Sequence, residues 1–109
     1  MTQRERTPVN WLMDVLGDET LAPPAFNIAG VFLVASLGSD LRVRNASLSW
    51  IANMTHLSRG TVVKHMRILQ DHGWIKSVKH TDPDTGGFAS NDYDLIWPQQ
   101  KNPQYLLGA

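Results

Sequence analysis

The chain has 109 residues, of which 42% are hydrophobic and 18% are charged, and its formal net charge at pH 7 is zero. These values indicate one folded globular domain rather than a disordered chain. The absence of cysteine excludes disulfides, thiolate metal ligands and cysteine nucleophiles, and it suits the cytoplasm, where we expect the protein to reside. The longest apolar run, residues 28–37, is too short to cross a bilayer, and the N-terminus lacks the apolar segment of a secretory signal, so we expect no membrane partner.

The overall neutrality conceals an uneven distribution of charge. Residues 41–80 hold seven lysines and arginines against one aspartate, and they also hold all four histidines. Residues 1–40 hold two arginines against five acidic residues, and residues 81–109 hold one lysine against four aspartates. A basic centre between acidic flanks favours binding to a polyanion, although a solvated surface is the simpler alternative.

The N-terminal third predicts two helices. Thr7 can cap the first, Pro8 suits its first position, and Gly17 can end it, with one apolar face formed by Trp11, Leu12, Val15 and Leu16. A second helix is predicted from Pro24 to about Leu37. Its apolar residues fall on more than one face, and one small domain cannot cover them all. The sequence therefore predicts a homodimer; the alternative is that the first helix and residues 105–107, YLL, cover the same surface.

The middle of the chain predicts a strand and two short helices. Leu41 and Val43 alternate with arginines in an extended piece, and Ser47 can cap a third helix that ends near Met54. After a three-residue turn, Ser58 can cap a fourth helix. Its predicted core stripe, at helical spacing, is Val62, Met66 and Leu69.

The C-terminal third predicts a β-hairpin. Gly73 ends the fourth helix, residues 74–80 form one strand, and residues 91–97 form another. The proline and glycines of residues 82–87 suit the turn between them. We therefore expect an N-terminal helix and loop at 1–23, a main domain at 24–98 and a tail at 99–109.

The order of these elements and several motifs resemble the winged helix-turn-helix domain. Residues 58–62, with the sequence SRGTV, and residues 69–75, with LQDHGWI, are similar to the start and end of the recognition helix in GntR-type regulators. Residues 90–95, SNDYDL, resemble the end of the wing in the helix-turn-helix domains of plasmid and phage replication proteins. The resemblance implies an α+β, mostly α fold: a winged helix-turn-helix with an extra N-terminal helix and a C-terminal two-stranded β-hairpin wing.

The same resemblance implies sequence-specific binding of double-stranded DNA through a recognition helix at about 58–72. The protein would be a small transcriptional regulator, or a replication or excision factor of a phage or plasmid. Arg59 and Thr61 inherit the expectation of DNA contact, and Arg59 could read a guanine edge. The full set of expected DNA-binding residues is Ser58, Arg59, Gly60, Thr61, Val63, Lys64, Arg67, Lys76, Lys79 and His80.

Some features favour other interpretations. His56 stands in the turn where relatives place glycine, at a position that commonly needs a left-handed backbone, and Asp82 and Asp84 give the expected wing an acidic tip. A winged-helix module that binds proteins without DNA is therefore the alternative. The alternative for Thr61 is that it serves only its own helix turn, and the alternative for Arg67 is a surface pair with Asp71.

We expect no catalytic activity, cofactor, small-molecule ligand or metal. The sequence has no nucleophile elbow and no phosphate loop. His65 and His72 lie seven residues apart without a further ligand in register, and we expect them to be surface residues rather than a metal site.

Overall fold

The computed structural model describes residues 5–38, 40–80 and 90–98. Over these residues the fold is α+β and mostly helical, with four helices and an antiparallel sheet of three strands. In chain order the elements are α1 (Pro8–Leu16), α2 (Pro23–Ser36), β1 (Arg42–Ala46), α3 (Leu48–Thr55), α4 (Arg59–Asp71), β2 (Ile75–His80) and β3 (Ser90–Leu95).

Side-chain caps begin three of the helices, as the sequence predicts. The hydroxyl of Thr7 accepts the N–H of Asn10 at 3.1 Å, and the hydroxyl of Ser47 accepts the N–H of Trp50 at 3.0 Å. Ser58 caps α4 in the same way. Each cap satisfies an amide that has no partner inside its helix, which fixes where the helix starts.

Helix α1 belongs to the same hydrophobic core as the rest of the fold. Trp11 is fully buried, and its indole N–H donates to the carbonyls of Trp74 at 2.9 Å and Ile96 at 3.0 Å. The indoles of Trp74 and Trp97 donate in return to Asp18 and Asp14, each at 2.8 Å. Residues from α1 and its following loop are thus held against the ends of β2 and β3.

The prediction of which residues form the buried face of α1 is only partly correct. Trp11 and Val15 are buried and Leu12 is half-buried, but Leu16 is 53% exposed. Leu16 shares an outward stripe with Val9 and Met13, because the three stand at i, i+4 and i+7. In the last turn of the helix, Val15 therefore faces the core and Leu16 faces solvent.

The sheet has three strands rather than the two of the predicted hairpin. β2 and β3 pair antiparallel from Ile75 opposite Leu95 to His80 opposite Ser90, and β1 pairs with the other edge of β3. The residues of the predicted turn between β2 and β3, including Asp82 and Asp84, lie outside the described part of the chain, as does the tail at 99–109. On the inner face, Phe32 of α2 stacks on Tyr93 of β3 at 5.5 Å between ring centroids.

Candidate nucleic-acid interface

Helix α4 is anchored by one face. Val62, Met66 and Leu69 are buried, as the sequence predicts, and His65 is buried with them at 7% exposure. The prediction of a surface His65 is therefore wrong. Position 65 lies three residues after Val62 and four before Leu69, so it falls inside the apolar stripe whatever its residue type.

The burial of His65 has a chemical consequence. Its Nδ1 has no hydrogen-bond partner, and burial, reinforced by the nearby charge of Lys64, lowers the pKa of the imidazole. The ring is thus held neutral in the core. Within the described residues, no three His, Cys, Asp or Glu side chains are grouped so that they could hold a metal ion.

The opposite face of α4 is open and positive. The side chains expected to face outward are all exposed: Arg59, Gly60, Val63, Lys64 and Arg67. Among residues 5–38, 40–80 and 90–98, the arginine and lysine side chains form one ion pair, Arg42–Asp94, so Arg67 does not pair with Asp71. None of the three cations of this face therefore forms an ion pair with a described residue.

The amino end of α4 presents hydrogen-bond donors. The N–H of Thr61 donates to the hydroxyl oxygen of Ser58 at 3.2 Å, and the hydroxyl of Ser58 donates to that of Thr61 at 2.8 Å. Thr61 therefore supports its own helix turn, and within the described residues its hydroxyl accepts a hydrogen bond but donates none. The amides of Arg59 and Gly60 precede the first intrahelical bond, and a Cβ built on Gly60 would meet no atom within 4 Å. A helix end with free amides and open space favours an anion.

The turn before α4 is as the sequence predicts. His56 has φ 59° and ψ 28°, the left-handed conformation that ends α3. His56 is the first of the three residues that connect α3 to α4, and Leu57, the next residue, is half-buried. The turn thereby sets the angle at which α4 leaves the helix before it.

The expected contacts on β2 are only partly described. Lys76 is exposed and stands opposite Asp94 in the strand register. That aspartate is already engaged by Arg42, whose guanidinium reaches its two oxygens at 2.6 Å and 3.1 Å, and this pairing raises the pKa of Arg42. Lys76 is left without a partner among the described residues. Lys79 and His80 continue the same strand, and the structure describes their backbone alone.

Four of the seven acidic residues that the structure describes in the flanks accept hydrogen bonds within the fold. Asp92 is buried and accepts the backbone N–H of Asn45 at 2.9 Å, and Asp14 accepts a tryptophan N–H. Burial opposes ionisation of Asp18, but hydrogen bonds from Thr20, Trp74 and His72 outweigh it and lower the pKa of the carboxyl. Each of these carboxylates therefore faces its own internal donor. The sequence does not reveal this arrangement, because the partners are up to 83 residues apart.

Comparison with family models, curated proteins and solved structures found no match to this chain. None of the helices in the described residues is long and apolar enough to cross a membrane. The functional interpretation therefore depends on the geometry and charge of the site itself.

Proposed function

We propose that this protein binds double-stranded DNA sequence-specifically, with α4 as the recognition helix of a winged helix-turn-helix domain. The observation that carries the proposal is the division of α4 into two faces. One face is fixed in the core by Val62, Met66 and Leu69. The other exposes three cations, which have no ion-pair partner among the described residues, beside a helix end with free amides. A helix held in this way can enter a major groove without giving up its packing.

The element order supports the winged-helix part of the proposal. From α2 onward the chain runs helix, strand, helix, helix, strand, strand, and only His56 and two further residues separate α3 from α4. The hairpin strands β2 and β3 follow α4 directly, as a wing would.

The residues of the site divide into two kinds of DNA contact. Arg59 lies in the first turn of α4, where a guanidinium can reach the O6 and N7 of a guanine. Lys64, Arg67 and Lys76 lie farther from that end and are suited to phosphates, as are the amides at Arg59 and Gly60. Exposed Val63, between these cations, can contact a thymine methyl group.

With this activity the protein would act in the cytoplasm, either as a small transcriptional regulator or as a replication or excision factor of a phage or plasmid. No metal or cofactor enters the proposal. The alternative is a protein-binding module that uses the same helix face.

The test is the salt dependence of binding to random duplex DNA, measured by fluorescence anisotropy. Wild-type protein should bind with a strongly negative slope of log K against log salt, and the double variant K64A/R67A should reduce that slope by about two. The control is Arg6→Gln, which removes one positive charge that lies over the ring of Trp97, outside α4. Equal effects of the double variant and the control would contradict the proposal. A complete absence of binding would favour the protein-binding alternative.

A further inference from the structure

An apolar groove lies between α2 and α3. It has a volume of about 400 Å³ and is lined by Phe26, Asn27, Gly30, Val31, Val34, Ala35, Trp50 and Met54. Val34 is 65% exposed and Met54 is 52% exposed. Exposed apolar side chains grouped around one concavity are typical of an interaction surface.

The groove is free of charge on both walls. Neither α2, with the sequence PPAFNIAGVFLVAS, nor α3, with LSWIANMT, contains an acidic or basic residue. In a twofold dimer the same patch meets itself, so any charged group near the axis faces a like charge. A patch without charges avoids this repulsion, and the centres of protein interfaces are depleted in charged residues.

Gly30 gives a second reason to expect a partner. It stands in the middle of α2, where glycine stabilises a helix less than alanine does. Its φ is not left-handed, and a Cβ built on it would meet no atom within 4 Å. Nothing within the described chain therefore requires a glycine, whereas a second helix that packs closely against α2 would.

Trp50 gives a third reason. The indole N–H groups of Trp11, Trp74 and Trp97 all donate to atoms of the fold. Within the described residues, the indole N–H of half-buried Trp50 donates to none. An amphipathic ring with an unused donor at the edge of an apolar groove is the residue type that dominates binding energy at interfaces.

We infer that this groove is the interface of a twofold homodimer, in which α2 of each copy packs across Gly30 of the other and Met54 and Trp50 close the sides. The stripe of Val9, Met13 and Leu16 on α1 is also apolar, but α1 carries Asp14 and its adjoining loop carries two more carboxylates. Asp14 and Asp18 are engaged by tryptophan donors, but the exposed Glu19 would face its own copy if this stripe met itself across a twofold axis, which favours the α2–α3 groove. The inference does not depend on DNA binding, because the surface contains none of the α4 residues.

Sedimentation velocity of the DNA-free protein, from about 1 to about 300 μM, is the test. Wild-type protein should shift from monomer to dimer over this range. Val34→Lys should weaken dimerisation at least about tenfold, while Met13→Lys, an equally exposed apolar position on α1, should leave it unchanged. Circular dichroism confirms that both variants keep the helical content of the wild type.

Gly30→Ala separates the proposal from a simple loss of folding. Alanine should raise the thermal midpoint of the dilute monomer, because it favours the helix and meets no atom, yet it should weaken dimerisation. Wild-type protein that stays monomeric throughout the range would overturn the inference, and so would dissociation by Met13→Lys as strong as that by Val34→Lys. DNA binding by such a monomer would leave the proposed function intact.

Discussion

Replacing His56 with glycine should stabilise the fold. A left-handed residue other than glycine costs roughly 1–2 kcal/mol, and His56 sits in that region with φ 59°. Glycine also stabilises the unfolded chain, by about 0.4–1 kcal/mol of conformational entropy, which offsets part of the gain. The net expectation is an increase of up to about 1 kcal/mol in the free energy of unfolding. For a domain of about 100 residues this raises the thermal midpoint by up to about 4 °C.

The assay is urea and thermal unfolding followed by circular dichroism, with His56→Ala as the matched control. Alanine removes the imidazole but keeps the Cβ, so it should give no gain. The side chain of His56 is exposed and makes no hydrogen bond or ion pair with the described residues, so its loss alone should matter little. A loss of stability in His56→Gly, or an equal gain in both variants, would refute the account of the turn. DNA binding should be unchanged in both.

Three further changes test two buried side chains and the turn after α4. Trp11→Phe leaves two carbonyls without the indole donor and should lower the free energy of unfolding by about 2–3 kcal/mol in urea titrations. His65 has a lowered pKa in the fold, so the unfolded chain takes up the proton first, and stability should fall as pH drops below about 6.5. His65→Leu should reduce this loss between about pH 7.5 and about pH 5.5; an unchanged loss would show that another group titrates. Gly73→Ala should cost at least about 1 kcal/mol, since φ is 84° and the new Cβ would stand 3.0 Å from the Cα of Pro98; calorimetry showing no loss would contradict this.

Local chemistry made the helices predictable. The caps at Thr7, Ser47 and Ser58 act within three residues, and the spacing of Val62, Met66 and Leu69 follows directly from the helical period. The starts of α1, α3 and α4 therefore agree with the sequence, and α2 begins one residue earlier than predicted.

Long-range pairing was not predictable in the same way. The sequence indicates that residues near Val43 are extended, but their place beside β3 depends on contacts with residues about 50 positions later. The pairing of Arg42 with Asp94 follows from that register, and it neutralises one arginine of the basic centre with one aspartate of the acidic C-terminal flank. The position of His65 in the apolar stripe predicts that it is buried, whereas the polar character of histidine favours a surface position.

For the candidate site, the sequence predicts which residues form the exposed face of α4, but not which nearby carboxylates pair with cations. Arg59, Lys64 and Arg67 are exposed where helical spacing puts them. Whether a nearby carboxylate neutralises a cation depends on tertiary contacts: Asp94, opposite Lys76 in the strand register, is held by Arg42, and Lys76 has no partner among the described residues. Their contact with DNA stays a prediction.

The most direct test of DNA recognition by α4 compares Arg59→Ala with Lys76→Ala on two DNAs, a site selected from random duplexes and an unselected duplex, at several salt concentrations. Arg59→Ala should weaken binding to the selected site by about 1–3 kcal/mol, roughly 5- to 150-fold, and should weaken binding to the unselected duplex much less. Lys76→Ala should weaken both and reduce the salt slope by about one. Equal losses on both DNAs for Arg59→Ala would make Arg59 a phosphate contact, and no loss from either variant would contradict DNA binding by this surface.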